Sequence, residues 1–386
     1  MFLATDNQDC RRNIRETGME RPLFKPVGTA VMRLDTPALV VDLTILEQNI
    51  ATVHALFLQQ ARLRPHVSAH RCPSIAHMQT AAGGTVGGIS VTTLGEAEVF
   101  AAHGCRDLFV ANELVAPSKL RRLCALARQV RVTVAVDHPT HVRGLSAAAS
   151  AQGSTLRVVV DVHTQAHHCG VAPGQPALEL AQAIGQAAHL EFAGLTTTLD
   201  LTTAQNPEEV AVATRRALQP VLDTRGLLEQ AGLAVPLVSV GGTTAYAAVA
   251  TMAGVTEVRA GAYALMDARH APFLPHLQSA ARVLTTVTSQ PAPDTAITDT
   301  GQKAIGSDRG LPVAADIPGA VVMGLSAEHC RLRLDGNAAG KMALGEKLWL
   351  TPWDIGTCTN LYDFMHAVRH DTLEAVWPVA ARGYYR

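Results

Sequence analysis

From residue 35 to about residue 267 the chain alternates two textures, and that alternation constrains the fold more than any single motif does. Short β-branched runs at 38–41, 132–136, 157–162 and 237–240 have the make-up of buried parallel strands. Strands covered on both faces read as continuous apolar runs. Ala-rich stretches separate them. In the stretch 42–60, Asp42 is placed to cap a helix, and Ile45, Ile50, Val53 and Leu56 recur at roughly helical spacing. A second helical stretch covers 207–231. The length of this alternating region suits a (β/α)8 barrel of the TIM type, typically ~250 residues; a doubly wound sheet is the alternative.

After His270 the texture changes. Residues 281–288, 319–323, 330–334 and 347–350 read as strands without intervening helices, with a turn signal at Asp335-Gly336-Asn337. The expected organisation is an N-terminal extension (1–34), a barrel (35–275) and a C-terminal all-β domain (276–386). With 386 residues, 48% of them hydrophobic, the chain can build cores for both. A formal net charge of -1 and 4% aromatics give no reason to expect nucleic acid or an anionic membrane as partner. Seven scattered cysteines without a C-x-x-C pair suit a reducing cytoplasm. No uninterrupted apolar run is long enough to span a bilayer, and the N-terminus carries charges too early for a signal peptide.

One segment narrows the reading. Arg64-Pro65-His66-Val67-Ser68-Ala69-His70-Arg71-Cys72-Pro73 resembles the cofactor-anchoring strand of the D-threonine aldolase and D-serine dehydratase-like enzymes, which is roughly Arg-Pro-His-x-Lys-Thr-His-Lys-x-Pro. The resemblance extends over nearly the whole chain. Further landmarks are Asp35-Thr36-Pro37, Gly95-Glu96-Ala97-Glu98, Ala111-Asn112-Glu113, Gly301-Gln302-Lys303-Ala304, Ser326-Ala327-Glu328-His329 and Val376-Trp377-Pro378. It implies an alanine-racemase-like barrel with a C-terminal β domain, pyridoxal phosphate (PLP) as cofactor, a small-molecule substrate and a homodimer. Ser68 stands where the family's Schiff-base lysine would be, and a hydroxyl cannot form an imine with an aldehyde.

The phosphate end of such a cofactor site is recognisable. Val238-Ser239-Val240-Gly241-Gly242-Thr243-Thr244 follows a strand run and precedes an Ala-rich helix. Glycines let backbone N–H groups approach an anion, and the loops after the last two strands of such barrels commonly bind phosphate. Ser239, Gly241, Gly242 and Thr243 are the expected cofactor-binding residues, joined by Gly261 and Tyr263 from Arg259-Ala260-Gly261-Ala262-Tyr263.

The family's catalytic positions have changed elsewhere too. His168 replaces an arginine, and His163 replaces an acidic position. A Tyr-x-Gly-His element is missing from residues 194–201, which include Asp200. Asp354 and Gly356 stand where the family has a Pro-x-His-x-Cys metal motif. Imidazoles and carboxylates are the usual ligands of Zn, Fe, Mn or Cu. The candidate metal ligands are therefore His66, His163, His167 and Asp354. His66, Ser68 and His70 share one face if their segment stays extended. His70, His168 and Asp200 are the candidate proton-transfer groups. Three readings stay open: a metal-dependent enzyme derived from the D-3-hydroxy-amino-acid lyases, a lyase with PLP held noncovalently, and a ligand-binding relative without turnover.

Overall fold

The computed structural model describes residues 25–60, 62–164, 168–199, 201, 204, 206–340 and 342–386. His167, Asp200 and the first 24 residues of the N-terminal extension lie outside the described residues.

The opening strand, β1 (Ala38–Asp42), leads into the helix Leu43–Ala55, and Asp42 Oδ1 accepts the N–H groups of Thr44 and Ile45 at 2.9 and 3.1 Å. That cap is where the sequence places it. The helix stops at Ala55 instead of continuing to Gln60, which leaves Leu56 54% exposed. The barrel follows: β2 (Leu63–Pro65), β3 (Ile89–Val91), β4 (Asp107–Val110), β5 (Arg131–Val136), β6 (Leu156–Asp161), β7 (Leu190–Thr198), β8 (Leu237–Gly241) and β9 (Glu257–Ala260). These eight strands are parallel, in the order β2-β9-β8-β7-β6-β5-β4-β3. Isolated parallel bridges, Leu63 to Thr85 and His66 to Ser90, draw the two ends together. Side chains alternate with period two. Val132, Val134, Val136, Val158 and Val160 point out toward the helices, while Phe109, Ala135, Val159 and Ala193 form a small apolar layer inside.

The second sheet is mostly antiparallel. It comprises β10 (Ala281–Ala292), β11 (Thr295–Thr298), β12 (Ala320–Leu325), β13 (Cys330–Leu334), β14 (Lys347–Leu350), β15 (Phe364–Arg369) and β16 (Thr372–Pro378). Its order is β12-β13-β11-β10-β1-β15-β16, with β14 on β10. So β1, read from sequence as a barrel strand, is a strand of this sheet, antiparallel to β10 and parallel to β15. The reason is physical. Leu39 and Val41 join the large core cluster, and Ala38 and Val40 join a second cluster with Leu284, Val368 and Leu373. A central strand covered on both faces looks the same in sequence whichever sheet holds it.

The short helix Ile355–Thr359 carries this domain onto the barrel mouth. Thr359 Oγ1 donates to the Ala69 carbonyl at 3.0 Å, and Arg71 Nη1 donates to the Gly356 carbonyl at 2.6 Å. Among the described residues, no helix is long and apolar enough to cross a membrane.

Candidate functional site

A cavity of about 670 Å³ opens at the C-terminal ends of the barrel strands, beneath the helix Ile355–Thr359. A second lobe of about 680 Å³ shares Thr198, Gly242, Thr243, Arg269, His270 and Arg309 with it. This is the end of a parallel barrel where active sites are found.

The cavity floor is built from a column of charges inside the barrel. Arg64 pairs with Glu257 at 2.7 Å and with Asp107 at 3.0 Å. Ser239 Oγ donates to Glu257 Oε1 at 2.7 Å and accepts from Arg259 Nε at 3.0 Å. Arg259 Nη2 donates to Thr196 Oγ1 and to the Thr197 carbonyl, at 2.8 and 2.9 Å, and the guanidinium lies over the Phe109 ring. Arg259 is 2% exposed and lines the cavity, and its Nη1 has no partner in the fold among the described residues. A buried guanidinium pinned by two of its nitrogens presents the third as a preorganised donor for an anion.

Ser239 therefore holds Arg259 in place and does not itself reach the cavity. Tyr263 does not reach it either. Its buried hydroxyl belongs to a chain whose hydrogens can all be assigned. Cys72 N–H donates to His70 Nδ1 (3.1 Å), so the other ring nitrogen carries the proton. His70 Nε2 donates to Gln79 Oε1 (3.1 Å), and Gln79 Nε2 donates to Tyr263 Oη (2.9 Å). Tyr263 Oη donates to His54 Nε2 (2.8 Å), and His54 Nδ1 donates to the Gly83 carbonyl (2.7 Å). His70 is fully buried and both its nitrogens are used, so the proton-transfer role expected for it is corrected to a structural one. Burial, reinforced by Arg71, pushes its pKa down to about 4.

The segment 66–70 is not extended. The chain leaves β2 after Pro65, and Val67–Ala69 form a 3-10 turn capped by His66. His66 Nδ1 accepts the Ser68 hydroxyl at 3.0 Å and the Ser68 N–H at 3.4 Å. Burial, then Arg259 and the neighbouring His70 and Arg71, lower its pKa to about 3. A neutral imidazole has one lone pair, and here the protein consumes it. Ser68 and His66 both face the cavity. No lysine lines it among the described residues; Lys303 is exposed and paired with Glu328.

Gly242, Thr243 and Gly261 line the cavity, whereas Gly241 lies behind them against Arg259. Thr243 Oγ1 accepts the N–H groups of Gly261 and Ala262, each at 3.1 Å. A Cβ on Gly261 would lie 2.1 Å from the His66 carbonyl oxygen, so only glycine lets these two strand ends meet. The N–H groups of Thr243 and Thr244 have no partner among the described residues. Free amides beside Arg259 suit the phosphate of PLP or another anion, but no described side chain offers an amine to its aldehyde.

Of the sequence-nominated metal ligands, His66, His163 and Asp354 are described, and these three do not assemble. Asp354 Oδ1 caps its helix by accepting Thr357 N–H at 2.9 Å, and Oδ2 faces Arg269 and Arg309 at 3.5 and 3.8 Å. His163 is part of a strand-end loop, its N–H donating to the Val171 carbonyl, and it does not line either lobe. His168 lines the second lobe. Among the described residues one group has metal-ligand spacing, Glu113, Asp137 and Cys169, whose ligand atoms lie within 4.8 Å of one another. It stands above the ends of β4, β5 and β6, close to Asp161. Burial, with Glu113 next, pushes Asp161 up to about 8, and burial with Asp137 raises Glu113.

Sequence reasoning missed Arg259, Arg269, Asp267 and His270 as cavity residues. One signal was present: Glu257 and Arg259 alternate with Val258 and Ala260, which places two charges inside a barrel strand.

Residues 41–269 match the alanine racemase N-terminal domain, and residues 280–368 match a serine dehydratase domain. D-threonine aldolase of Arthrobacter sp. is 33% identical over 96% of this chain and 98% of its own length. 3-Hydroxy-D-aspartate aldolase of Paracoccus denitrificans is 31% identical over 95% of this chain and 97% of its own. Among solved structures, D-threonine aldolase from Filomicrobium marinum superposes with a TM-score of 0.89 at 34% identity, covering 93% of this chain and 99% of that one.

Proposed function

This chain belongs to the D-threonine aldolase-like family of alanine-racemase-type barrels, and on that premise we propose that it is a lyase-type protein binding a D-3-hydroxy amino acid together with PLP held noncovalently. The observation that carries the reading is a cavity with a buried, partly unpartnered arginine and free turn amides, but no lysine among its described lining. Arg259 Nη1 and the Thr243 and Thr244 N–H groups are the anion donors; Gly242 and Gly261 let the backbone come close. PLP, when bound, supplies an electron sink for cleavage at the amino acid's Cα. The protein's own part is to hold the anions, to keep His66 neutral, and to cover the mouth with the helix Ile355–Thr359. With Ser68 bound to His66, nothing at that position forms an imine.

The test is titration of the purified full-length protein with PLP, followed by borohydride reduction and peptide mass mapping, with glycine release from D-threonine and from 3-hydroxy-D-aspartate assayed in parallel. Reversible PLP binding without a pyridoxyl-peptide supports the reading. A pyridoxyl group on a lysine, or no binding of PLP or either amino acid, refutes it. The metal-assisted form of the reading is favoured by Glu113, Asp137 and Cys169 rather than by the histidines. Elemental analysis of protein that turns over, with and without Glu113→Gln, tests it.

A further inference from the structure

His270 sits where the two lobes of the cavity meet and lines both. Its Nδ1 lies 2.6 Å from Asp267 Oδ1, and its own backbone N–H donates to the same oxygen at 2.9 Å. Asp267 Oδ2 accepts the N–H of Ile355, from the second domain, at 3.0 Å. Asp267 is 1% exposed and His270 15%. A carboxylate held by three donors cannot turn away from the imidazole. Because it only accepts, His270 Nδ1 carries the hydrogen. Nε2 then presents its lone pair, and it has no partner in the fold among the described residues. His66 and His70 differ, since each has its Nδ1 lone pair engaged by a protein donor.

An imidazole with one nitrogen fixed on a buried carboxylate and the other facing a ligand cavity is arranged to take a proton, because the carboxylate both selects the tautomer and stabilises the imidazolium. We propose that His270, oriented by Asp267, accepts the hydroxyl proton of a D-3-hydroxy amino acid bound in this cavity. The inference rests on the lyase reading above. In the step, the ligand O–H bond breaks, its electron pair stays on oxygen, and an N–H bond forms at Nε2. Among the charged and titratable groups that line the two lobes with His270 are Asp267, Arg269, Arg309, Asp354 and His168. Arg309, 3.8 Å from Asp354 Oδ2, lines both lobes and is placed to take a carboxylate of the same ligand.

Two probes that differ only in the hydroxyl separate the possibilities: 3-hydroxy-D-aspartate and D-aspartate, titrated calorimetrically into the full-length protein. The wild type is expected to bind the hydroxylated acid roughly tenfold tighter, and His270→Phe to bind both acids alike, keeping D-aspartate affinity within about twofold. Asp267→Ala removes the acceptor that fixes the Nδ1–H tautomer. It should lose most of the preference, with ¹⁵N NMR reporting a mixture of tautomers in place of one. Equal affinities in the wild type, or a preference that survives His270→Phe, overturns the proposal. If neither acid binds, the lyase reading itself has failed. The ¹⁵N spectrum then still decides His270: a free protein with Nε2 protonated overturns the assignment, and one with Nδ1 protonated supports it.

Discussion

Acid sensitivity gives the sharpest test of the buried histidine chain. His70 ionises near 6.5 in an unfolded chain, and burial holds it at about 4 in the fold. A group depressed in the folded state takes up a proton on unfolding. Its stabilising contribution is therefore complete above pH 6.5 and is lost as pH falls toward the folded value. Linkage between those two pKa values gives a loss of about 2 kcal/mol between about pH 7 and pH 5 from this one residue. The wild-type curve alone does not isolate it. His66 acts in the same direction, while Asp161 and Glu113, raised in the fold, lose stability as pH rises.

The informative comparison is with His70→Asn. An Asn Oδ1 can take over the Cys72 N–H, but the link to Gln79 is lost, so the variant should be weaker by about 1–3 kcal/mol near pH 7. Its additional loss on going to about pH 5 should be smaller than that of the wild type by about 2 kcal/mol. Urea unfolding of both proteins at three pH values, followed by far-UV circular dichroism, reads this directly. Parallel pH dependences for the two proteins would refute the view that His70 is a neutral structural residue. They would also reopen its role in proton transfer.

Three further outcomes follow from the same geometry. Tyr263→Phe strands Gln79 Nε2 and His54 Nε2 in a dry interior and should destabilise by about 2–4 kcal/mol in urea; a change below about 0.5 kcal/mol would contradict the hydrogen-bonded chain. Arg259→Lys keeps the charge but not the fork, so PLP or 3-hydroxy-D-aspartate should bind about tenfold more weakly by calorimetry, and unchanged affinity would remove Arg259 from the site. Asp354→Asn should leave the metal content of the purified protein unchanged by elemental analysis, because that carboxylate is a helix cap facing two arginines; loss of a bound metal would restore it as a ligand.

The barrel was legible because its strands are buried on both faces and its helices carry a different period. Val132–Val136 and Val158–Val160 sit where those patterns put them. What the pattern could not assign was membership. Strand β1 has two apolar faces like its barrel neighbours, yet it pairs with β10 and β15, where Val40 meets Arg282 and His366, 242 and 326 positions along the chain. The 66–70 segment failed for a local reason. An alternating face requires an extended backbone, and the strand ends at Pro65, one residue before the first histidine.

The site was harder to read because residue type says how many lone pairs a side chain has, not which of them the fold has already used. His66 and Asp354 each look like ligands in sequence, and each is engaged by an N–H group within three residues of itself, at Ser68 and Thr357. Such local contacts are foreseeable, since an N-cap acceptor is favoured wherever a turn begins. Arg259 is the opposite case. Its two fixed nitrogens depend on Ser239 from β8 and Thr196 from β7, and Arg64 from β2 neutralises the Glu257 that anchors Ser239. Four strands must be in register before its remaining nitrogen points anywhere in particular. Losing an amine at position 68 would not disturb that column, since none of its hydrogen bonds involves Ser68. Anion binding and imine chemistry are therefore separable in this barrel, and the first can persist where the second has no residue to perform it.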